Sequence, residues 1–161
     1  MIVCVTAGCV TEDEPKGPTV EVGQELPVFS VTLNNGEVVS TSSLKGKVPV
    51  IVFFNTDCSD CRKELPVIQQ LWEIYRDNGD VKVVAIAREE SEEKIKEYWE
   101  QNRLTMPYSP QETRDVYSLF APSVIPRIYI SNVDGVITNA YGDTDMPTLE
   151  DLKNAIETNL Q

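Results

Sequence analysis

Two cysteines separated by two residues are the part of this sequence whose spacing most clearly permits chemistry. Cys58 and Cys61 follow the apolar run 48–54, which predicts a buried strand, and they open an amphipathic helix predicted over 59–76. At the start of a helix the first thiol faces unpaired backbone N–H groups, which favour its thiolate form. The second thiol lies one turn later, close enough to form a disulfide without a backbone movement. The pattern therefore predicts dithiol–disulfide chemistry.

The length, charge and amino-acid composition of the chain exclude several other classes of function. The chain has 161 residues, enough for one domain with a substantial core. Its net charge of −12 argues against nucleic acid as a partner. The sequence has no histidine, which excludes Ser-His and Cys-His catalysis and histidine-containing zinc sites. One Cys-x-x-Cys pair supplies only two thiolates, so we expect no metal and no cofactor besides the redox-active disulfide Cys58–Cys61.

Strands and helices alternate around the cysteine pair in the predicted fold. Residues 26–40 read as a β-hairpin because a polar turn joins two alternating segments. A second buried strand is predicted over 81–87, and the strand–helix–strand order implies a right-handed parallel crossover. The other predicted elements are a helix from about 91 to 102, a short helix from about 113 to 120, a hairpin over 124–141 and a helix from about 148 to 160. The sequence predicts one α/β domain over 20–161.

Residues 1–19 are predicted to be a flexible segment outside this domain. Thr6-Ala7-Gly8-Cys9 resembles the end of a bacterial lipoprotein signal, in which small residues precede a cysteine that becomes lipidated. A polar, acidic segment follows over 10–18, as expected of a tether. We expect the printed start to lie within a longer leader and the protein to be exported to the periplasmic side, tethered through Cys9. The alternative is the irregular N-terminus of a cytoplasmic protein.

Several segments together resemble a known family. They are residues 22–29, 44–47 and 53–66, together with the pair Ile125-Pro126 and the turn Asp134-Gly135. Through them the chain resembles the thioredoxin superfamily and, more narrowly, the exported TlpA/ResA-type thiol–disulfide oxidoreductases. The resemblance implies an α/β, thioredoxin-like fold whose mixed central sheet, with four strands of thioredoxin type, is flanked by helices and extended by an N-terminal β-hairpin.

The same resemblance and the helix position suggest a role for each site residue. Cys58 is expected to attack and Cys61 to resolve the mixed disulfide. A glutamate at the position of Glu64 is partly buried in this family and exchanges protons with the thiols, whereas the alternative is an exposed helical acid. The Ile125–Pro126 bond is implied to be cis, with Ile125 offering backbone hydrogen bonds to a substrate chain and Pro126 forming part of the same wall.

Two acidic residues depart from the family pattern. Asp57 and Asp60 stand where the family usually has Trp before the first cysteine and often Pro before the second. Carboxylates near the thiols should disfavour the thiolate. A less stable thiolate makes the reduced form less stable, so we expect these residues to tune the pair toward a more reducing potential.

Three functions remain open on the sequence. The first is a thiol–disulfide oxidoreductase, used as a reductase of client-protein disulfides and re-reduced by a membrane-embedded or thioredoxin-type electron donor. The second is a peroxiredoxin-like peroxidase, although Asn55 and Ile51 occupy the positions where such enzymes carry Thr or Ser and Pro. The third is a non-redox binding or folding-assistance module that uses the cis-proline groove.

Overall fold

A five-stranded mixed sheet organises residues 19–161, the part of the chain that the computed structural model describes. The predicted tether lies outside these residues except for Thr19. In chain order the elements are β1 (Ser30–Thr32), β2 (Val38–Ser40), β3 (Val48–Phe54), α1 (Ser59–Tyr75), β4 (Val81–Ala87), α2 (Glu92–Asn102), β5 (Tyr108–Ser109), a 3-10 turn (Tyr117–Leu119), β6 (Arg127–Ser131), β7 (Ile137–Tyr141) and α3 (Leu149–Asn159).

Strand β3 lies at the centre of the sheet, whose order is β5-β4-β3-β6-β7. It runs parallel to β4 and antiparallel to β6, and all seven of its residues are buried. A continuous apolar run is the expected sequence of a strand covered on both faces. Phe54 pairs with Ala87 at the end of the parallel register, so the residues that follow β3 and β4 emerge side by side.

Side chains of β3 alternate between two hydrophobic clusters on opposite faces of the sheet. Val50, Val52 and Phe54 belong to the cluster that includes buried residues of all three α-helices. Ile51 and Phe53 belong to the other cluster, which includes residues of the β1–β2 hairpin and of the 3-10 turn. The helices and the hairpin therefore hold β3 from both sides, and its end is a fixed platform for the loop that carries Cys58.

The helix starts follow from their capping residues. Ser91 caps α2 through its side-chain oxygen, next to the predicted start of this helix at about 91. At α3, the Asp151 N–H donates to Thr148 Oγ1 at 3.1 Å while the Thr148 N–H donates to Asp151 Oδ2 at 2.8 Å, a reciprocal capping box. No helix within residues 19–161 combines the length and the apolar composition needed to cross a bilayer.

The mixed α/β sheet and its extra N-terminal hairpin are confirmed, and three details of the prediction are wrong. The sheet has five strands because the short segment β5 adds a parallel edge strand between two prolines, in a stretch for which no strand or helix was predicted. The helix predicted over 113–120 is only the 3-10 turn at Tyr117–Leu119. Thr113 Oγ1 instead donates to Asp115 Oδ2 at 2.9 Å, a local bond that competes with a helix start. Strand β6 begins at Arg127, three residues later than expected.

Candidate active site

Cys58 caps the N-terminus of α1, where the chain leaves β3 through a short loop. Its backbone is extended (φ −82°, ψ 121°), and its Sγ accepts a hydrogen bond from the Cys61 N–H at 3.2 Å. The sulfur therefore takes the place that a serine or aspartate oxygen takes at other helix starts. The helix dipole adds a positive field there, which favours negative charge on Sγ. The side chain is half-buried and lines a cleft, so the sulfur is open to a second molecule.

Cys61 lies one turn into α1 and is fully buried. Burial raises the pKa of its thiol far above the ordinary value, and the neighbouring Cys58 thiol raises it further. Both cysteines are free thiols. The helix start therefore brings together one half-buried and one fully buried thiol, one turn apart.

Glu64 lies one further turn along α1 and points into the protein interior. The residue is only 4% exposed, and burial raises the pKa of its carboxyl from 4.5 to about 7. Within the described residues its Oε1 has no hydrogen-bond partner. Glu64 is therefore a buried carboxyl that can gain or lose a proton near neutral pH, and the alternative of an exposed helical acid is wrong.

The loop before β6 forms the wall opposite Cys58. The Ile125–Pro126 bond is cis, as the resemblance implied, and the Cys58 thiol donates to the Ile125 carbonyl at 3.7 Å. Val124 has φ 77°, a left-handed conformation that is a genuine outlier for a β-branched residue. The Tyr117 hydroxyl donates to the Val124 carbonyl at 2.6 Å. The 3-10 turn thus fixes the backbone on which Ile125 approaches the thiol.

The two predicted tuning residues, Asp57 and Asp60, each form an ion pair with a lysine. Asp57 pairs with Lys94 of α2, and Asp60 pairs with Lys63 at 3.5 Å. Both pairs are solvent-exposed, where such charges are well screened. Asp57 lines the cleft beside Cys58, whereas Asp60 is directed to its neighbour on the helix. Their influence on the redox potential stays a prediction.

A cleft of about 480 Å³ joins the predicted residues to others that sequence reasoning missed. Cys58, Asp57 and Ile125 line it together with a second set, Asn55, Arg88, Val124 and Asp143. Asn55 and Arg88 are the first residues after the adjacent strands β3 and β4, and Asn55 Nδ2 donates to the Arg88 carbonyl at 2.9 Å. The neighbouring ends of two parallel strands could have pointed to both residues, since ligands bind at such edges.

Helix α2 and the end of β4 support the cysteine loop from behind. The Thr56 N–H donates to Glu90 Oε2 at 2.8 Å, and both residues are buried. The guanidinium of Arg62 lies over the Tyr98 ring with Cζ 5.5 Å from the ring centroid. Together with the contact of Lys94 to Asp57, these interactions hold the residues on both sides of Cys58.

Ile51 and Asn55 stand at the two positions where a peroxiredoxin-like peroxidase carries Pro and Thr or Ser, and neither side chain has a hydroxyl. Ile51 is fully buried within β3, in the cluster that faces the hairpin. The Asn55 amide is engaged with the Arg88 carbonyl. Neither side chain supplies the Thr or Ser hydroxyl that the peroxidase pattern places beside its cysteine.

Comparisons with known proteins agree with this geometry. The chain is 28% identical over 131 residues to the thiol-disulfide oxidoreductase ResA of Bacillus cereus, covering 81% of this chain and 75% of the relative. It is 29% identical over 128 residues to the thioredoxin-like protein YneN of Bacillus subtilis, covering 78% and 74% respectively. The solution structure of a proposed protein disulfide isomerase from Bacteroides thetaiotaomicron superposes with a TM-score of 0.77 at 28% identity, covering 86% of this chain and 87% of that one.

These likenesses confirm the thioredoxin-like fold and the ResA-like resemblance expected from the sequence. The sequence also matches the AhpC/TSA family over residues 22–140, which is most of the domain and includes the cysteine pair and the Ile125–Pro126 loop. The protein therefore belongs to the AhpC/TSA family.

Proposed function

We propose that the protein is a thiol–disulfide oxidoreductase that reduces disulfide bonds in client proteins with Cys58 and Cys61. One observation carries the proposal: an accessible thiol caps a helix beside the Ile125 carbonyl while its partner thiol is buried one turn away. The sulfur chemistry needs only the two cysteines and a source of electrons, so no cofactor takes part.

In the first step the Cys58 thiolate attacks one sulfur of the client disulfide. A bond forms between Cys58 Sγ and that client sulfur, the client S–S bond breaks, and the other client sulfur leaves as a thiolate that takes up a proton. The helix start and the Cys61 N–H stabilise negative charge on Cys58 Sγ. Val124 and Ile125 line the cleft wall beside Cys58, along which an extended client chain can lie.

In the second step Cys61 resolves the mixed disulfide. Its sulfur loses a proton and attacks Cys58 Sγ, which forms the Cys58–Cys61 disulfide and releases the second client thiolate. The client gains two electrons and two protons in total, and the protein loses the same number. Because the pKa of the Cys61 thiol is raised by burial, this step needs a base nearby. Glu64, with a pKa of about 7, is the proposed base.

The buried thiol supports a direction of electron flow. Because its pKa is raised, the Cys61 thiol stays protonated at neutral pH and gives the dithiol form none of the thiolate stabilisation that makes a pair oxidising. Such a pair gives electrons away readily, so we place the protein with the reductases. Its disulfide is then reduced again by a second dithiol protein, either membrane-embedded or of thioredoxin type.

Reduction of insulin disulfides tests the proposal directly. The parent protein carries Cys4→Ser and Cys9→Ser, so that Cys58 and Cys61 are the only thiols. With dithiothreitol as electron source this protein should accelerate insulin precipitation, and Cys58→Ser should abolish the acceleration. Cys61→Ser should accumulate a mixed disulfide of one client per protein, visible by non-reducing mass spectrometry. A redox titration should place the pair nearer to thioredoxin at about −270 mV than to DsbA at about −120 mV.

Two results would contradict the proposal. If Cys58→Ser retains full activity and full client binding, the protein acts as a binding module and its thiols are incidental. If the parent protein consumes hydrogen peroxide rapidly with Cys58 as its sole essential thiol, the peroxidase hypothesis replaces the reductase.

We also propose that the protein works on the periplasmic side of the membrane, tethered through a lipid on Cys9. The support is the sequence around Cys9, which resembles a lipoprotein signal and precedes a polar segment. Cys9 lies outside the described residues. Mass spectrometry of the natively expressed protein should find a lipidated Cys9 as the first residue, and an unmodified Cys9 in a chain that still begins at Met1 would refute the tether.

A further inference from the structure

Arg88 is the one basic residue that lines the cleft beside Cys58 in the described part of the chain. Two backbone hydrogen bonds fix its position: its N–H donates to the Phe54 carbonyl at 2.8 Å, and its carbonyl accepts from Asn55 Nδ2 at 2.9 Å. The side chain therefore starts from a rigid point at the ends of β3 and β4. From this point the side chain extends so that its guanidinium lies over the Tyr117 ring, with Cζ 5.0 Å from the ring centroid.

The guanidinium of Arg88 has no anionic partner within residues 19–161. No carboxylate lies within 4 Å of it, its side chain donates no hydrogen bond, and its Nε is buried without an acceptor. A buried donor without a partner is costly in a folded protein and asks for an explanation. Its charge also reaches the redox pair: although burial raises the pKa of the Cys61 thiol, the Arg88 charge lowers it.

Neighbouring charges differ from Arg88 in being ion-paired or more exposed. Arg114 lies over the same Tyr117 ring, at 5.7 Å, and its Nε is likewise buried without a hydrogen-bond acceptor, but its charge is paired with Glu89 at 3.5 Å and it does not line the cleft. Asp57 is paired with Lys94. Asp143 lines the cleft but is exposed to solvent, where water and salt screen it more strongly than the half-buried Arg88.

We propose that Arg88 is a specificity-determining residue that binds a client carboxylate next to the disulfide, so that preferred clients carry Asp or Glu beside the cysteine that Cys58 attacks. The inference rests on the proposed function and names its substrate class. A carboxylate matches the planar guanidinium and pairs with a charge that has no carboxylate partner in the described residues. Binding there would hold the client chain across the cleft while its sulfur faces Cys58.

Reduction of three synthetic peptides tests the proposal. Each peptide contains one intramolecular disulfide and carries a fluorophore and a quencher, and the residues flanking its cysteines are Asp, Asn or Lys. Pre-reduced protein with Cys4→Ser and Cys9→Ser is mixed with each peptide without any other reductant, and the single-turnover rate is read from dequenching. The variants are Arg88→Gln, Arg88→Lys and, as the matched control on the same aromatic ring, Arg114→Gln.

The expected result is a ratio of rates. The parent should reduce the Asp peptide about fivefold faster than the Asn peptide, and the Lys peptide more slowly than either. The ratio of the Asp-peptide rate to the Asn-peptide rate should fall to about one in Arg88→Gln, and also in the parent at 1 M salt. Arg88→Lys should keep part of the ratio, and Arg114→Gln should leave it unchanged. Equal rates for all three peptides with the parent protein would overturn the role of Arg88 while leaving the reductase in place. Failure to reduce any peptide would overturn both.

Discussion

Replacing Glu64 by glutamine should stabilise the reduced protein at pH 8 and leave its stability almost unchanged at pH 4.5. The native carboxyl has a pKa of about 7, against an ordinary value of 4.5, because it is buried. Between these two pH values the folded chain holds a proton that the unfolded chain has released. The free energy of unfolding therefore falls as pH rises from about 4.5 through about 7, and the whole penalty is present above that range.

The size of the effect follows from the pKa difference. A difference of about 2.5 pH units corresponds to about 3 kcal/mol, since one unit is about 1.4 kcal/mol. Glutamine removes this penalty but leaves a polar amide in the same buried place, which costs part of the gain. We therefore expect Glu64→Gln to raise the unfolding free energy at pH 8 by about 1 to 3 kcal/mol, or about 3 to 10 °C in Tm for a chain of this length.

Urea unfolding of both proteins, kept reduced, at pH 4.5, 6, 7 and 8 measures this difference directly. The matched control is Glu112→Gln, the same substitution at an exposed position, which should change stability by less than about 0.5 kcal/mol at every pH. A Glu64→Gln stability difference that stays constant from pH 4.5 to 8, or a variant less stable than the parent at pH 8, would refute the reasoning.

Three further outcomes are expected. Stopped-flow measurement of mixed-disulfide resolution should show a rate that rises with pH through about 7 in the parent, because the Glu64 carboxylate is then available as base, and the rise should disappear in Glu64→Gln. Tyr117→Phe removes the hydroxyl that donates to the Val124 carbonyl, so chemical denaturation should show a free energy of unfolding lower by about 1 kcal/mol, and peptide reduction should show a higher KM. Unchanged values would mean that the loop keeps its shape without the bond. Thr148→Ala breaks the capping box with Asp151 and should cost about 1 kcal/mol in thermal or urea unfolding with client reduction unaffected; a loss of activity would contradict this separation.

Local sequence was sufficient for the elements that present the cysteines. The run over 48–54 is apolar throughout because β3 is covered on both faces. The amphipathic helix that follows begins directly after Cys58, which is its N-terminal cap. Glu64 could be placed near the pair from its helical spacing alone. These features depend on neighbours within a few residues along the chain, and short-range patterns report such neighbours well.

The residues that sequence reasoning missed depend on contacts between distant segments. Arg88 enters the cleft because β4 pairs with β3 in one register, which places it beside Asn55, thirty-three positions earlier. Val124 adopts its left-handed conformation although its residue type argues against it, and its carbonyl is held by Tyr117 from the 3-10 turn. No periodicity encodes either arrangement, because both are imposed by the completed fold.

The contacts of α2 with the cysteine loop have an evolutionary consequence. Lys94 and Tyr98 are one turn apart on α2, so they share a face, and they contact Asp57 and Arg62, which flank the dithiol in the chain. Exchange of either α2 residue would change the partner of Asp57 or of Arg62 while leaving the Cys-x-x-Cys segment untouched. Divergence along this one helical face therefore offers related proteins a way to change the contacts around the dithiol while keeping the same pair of cysteines.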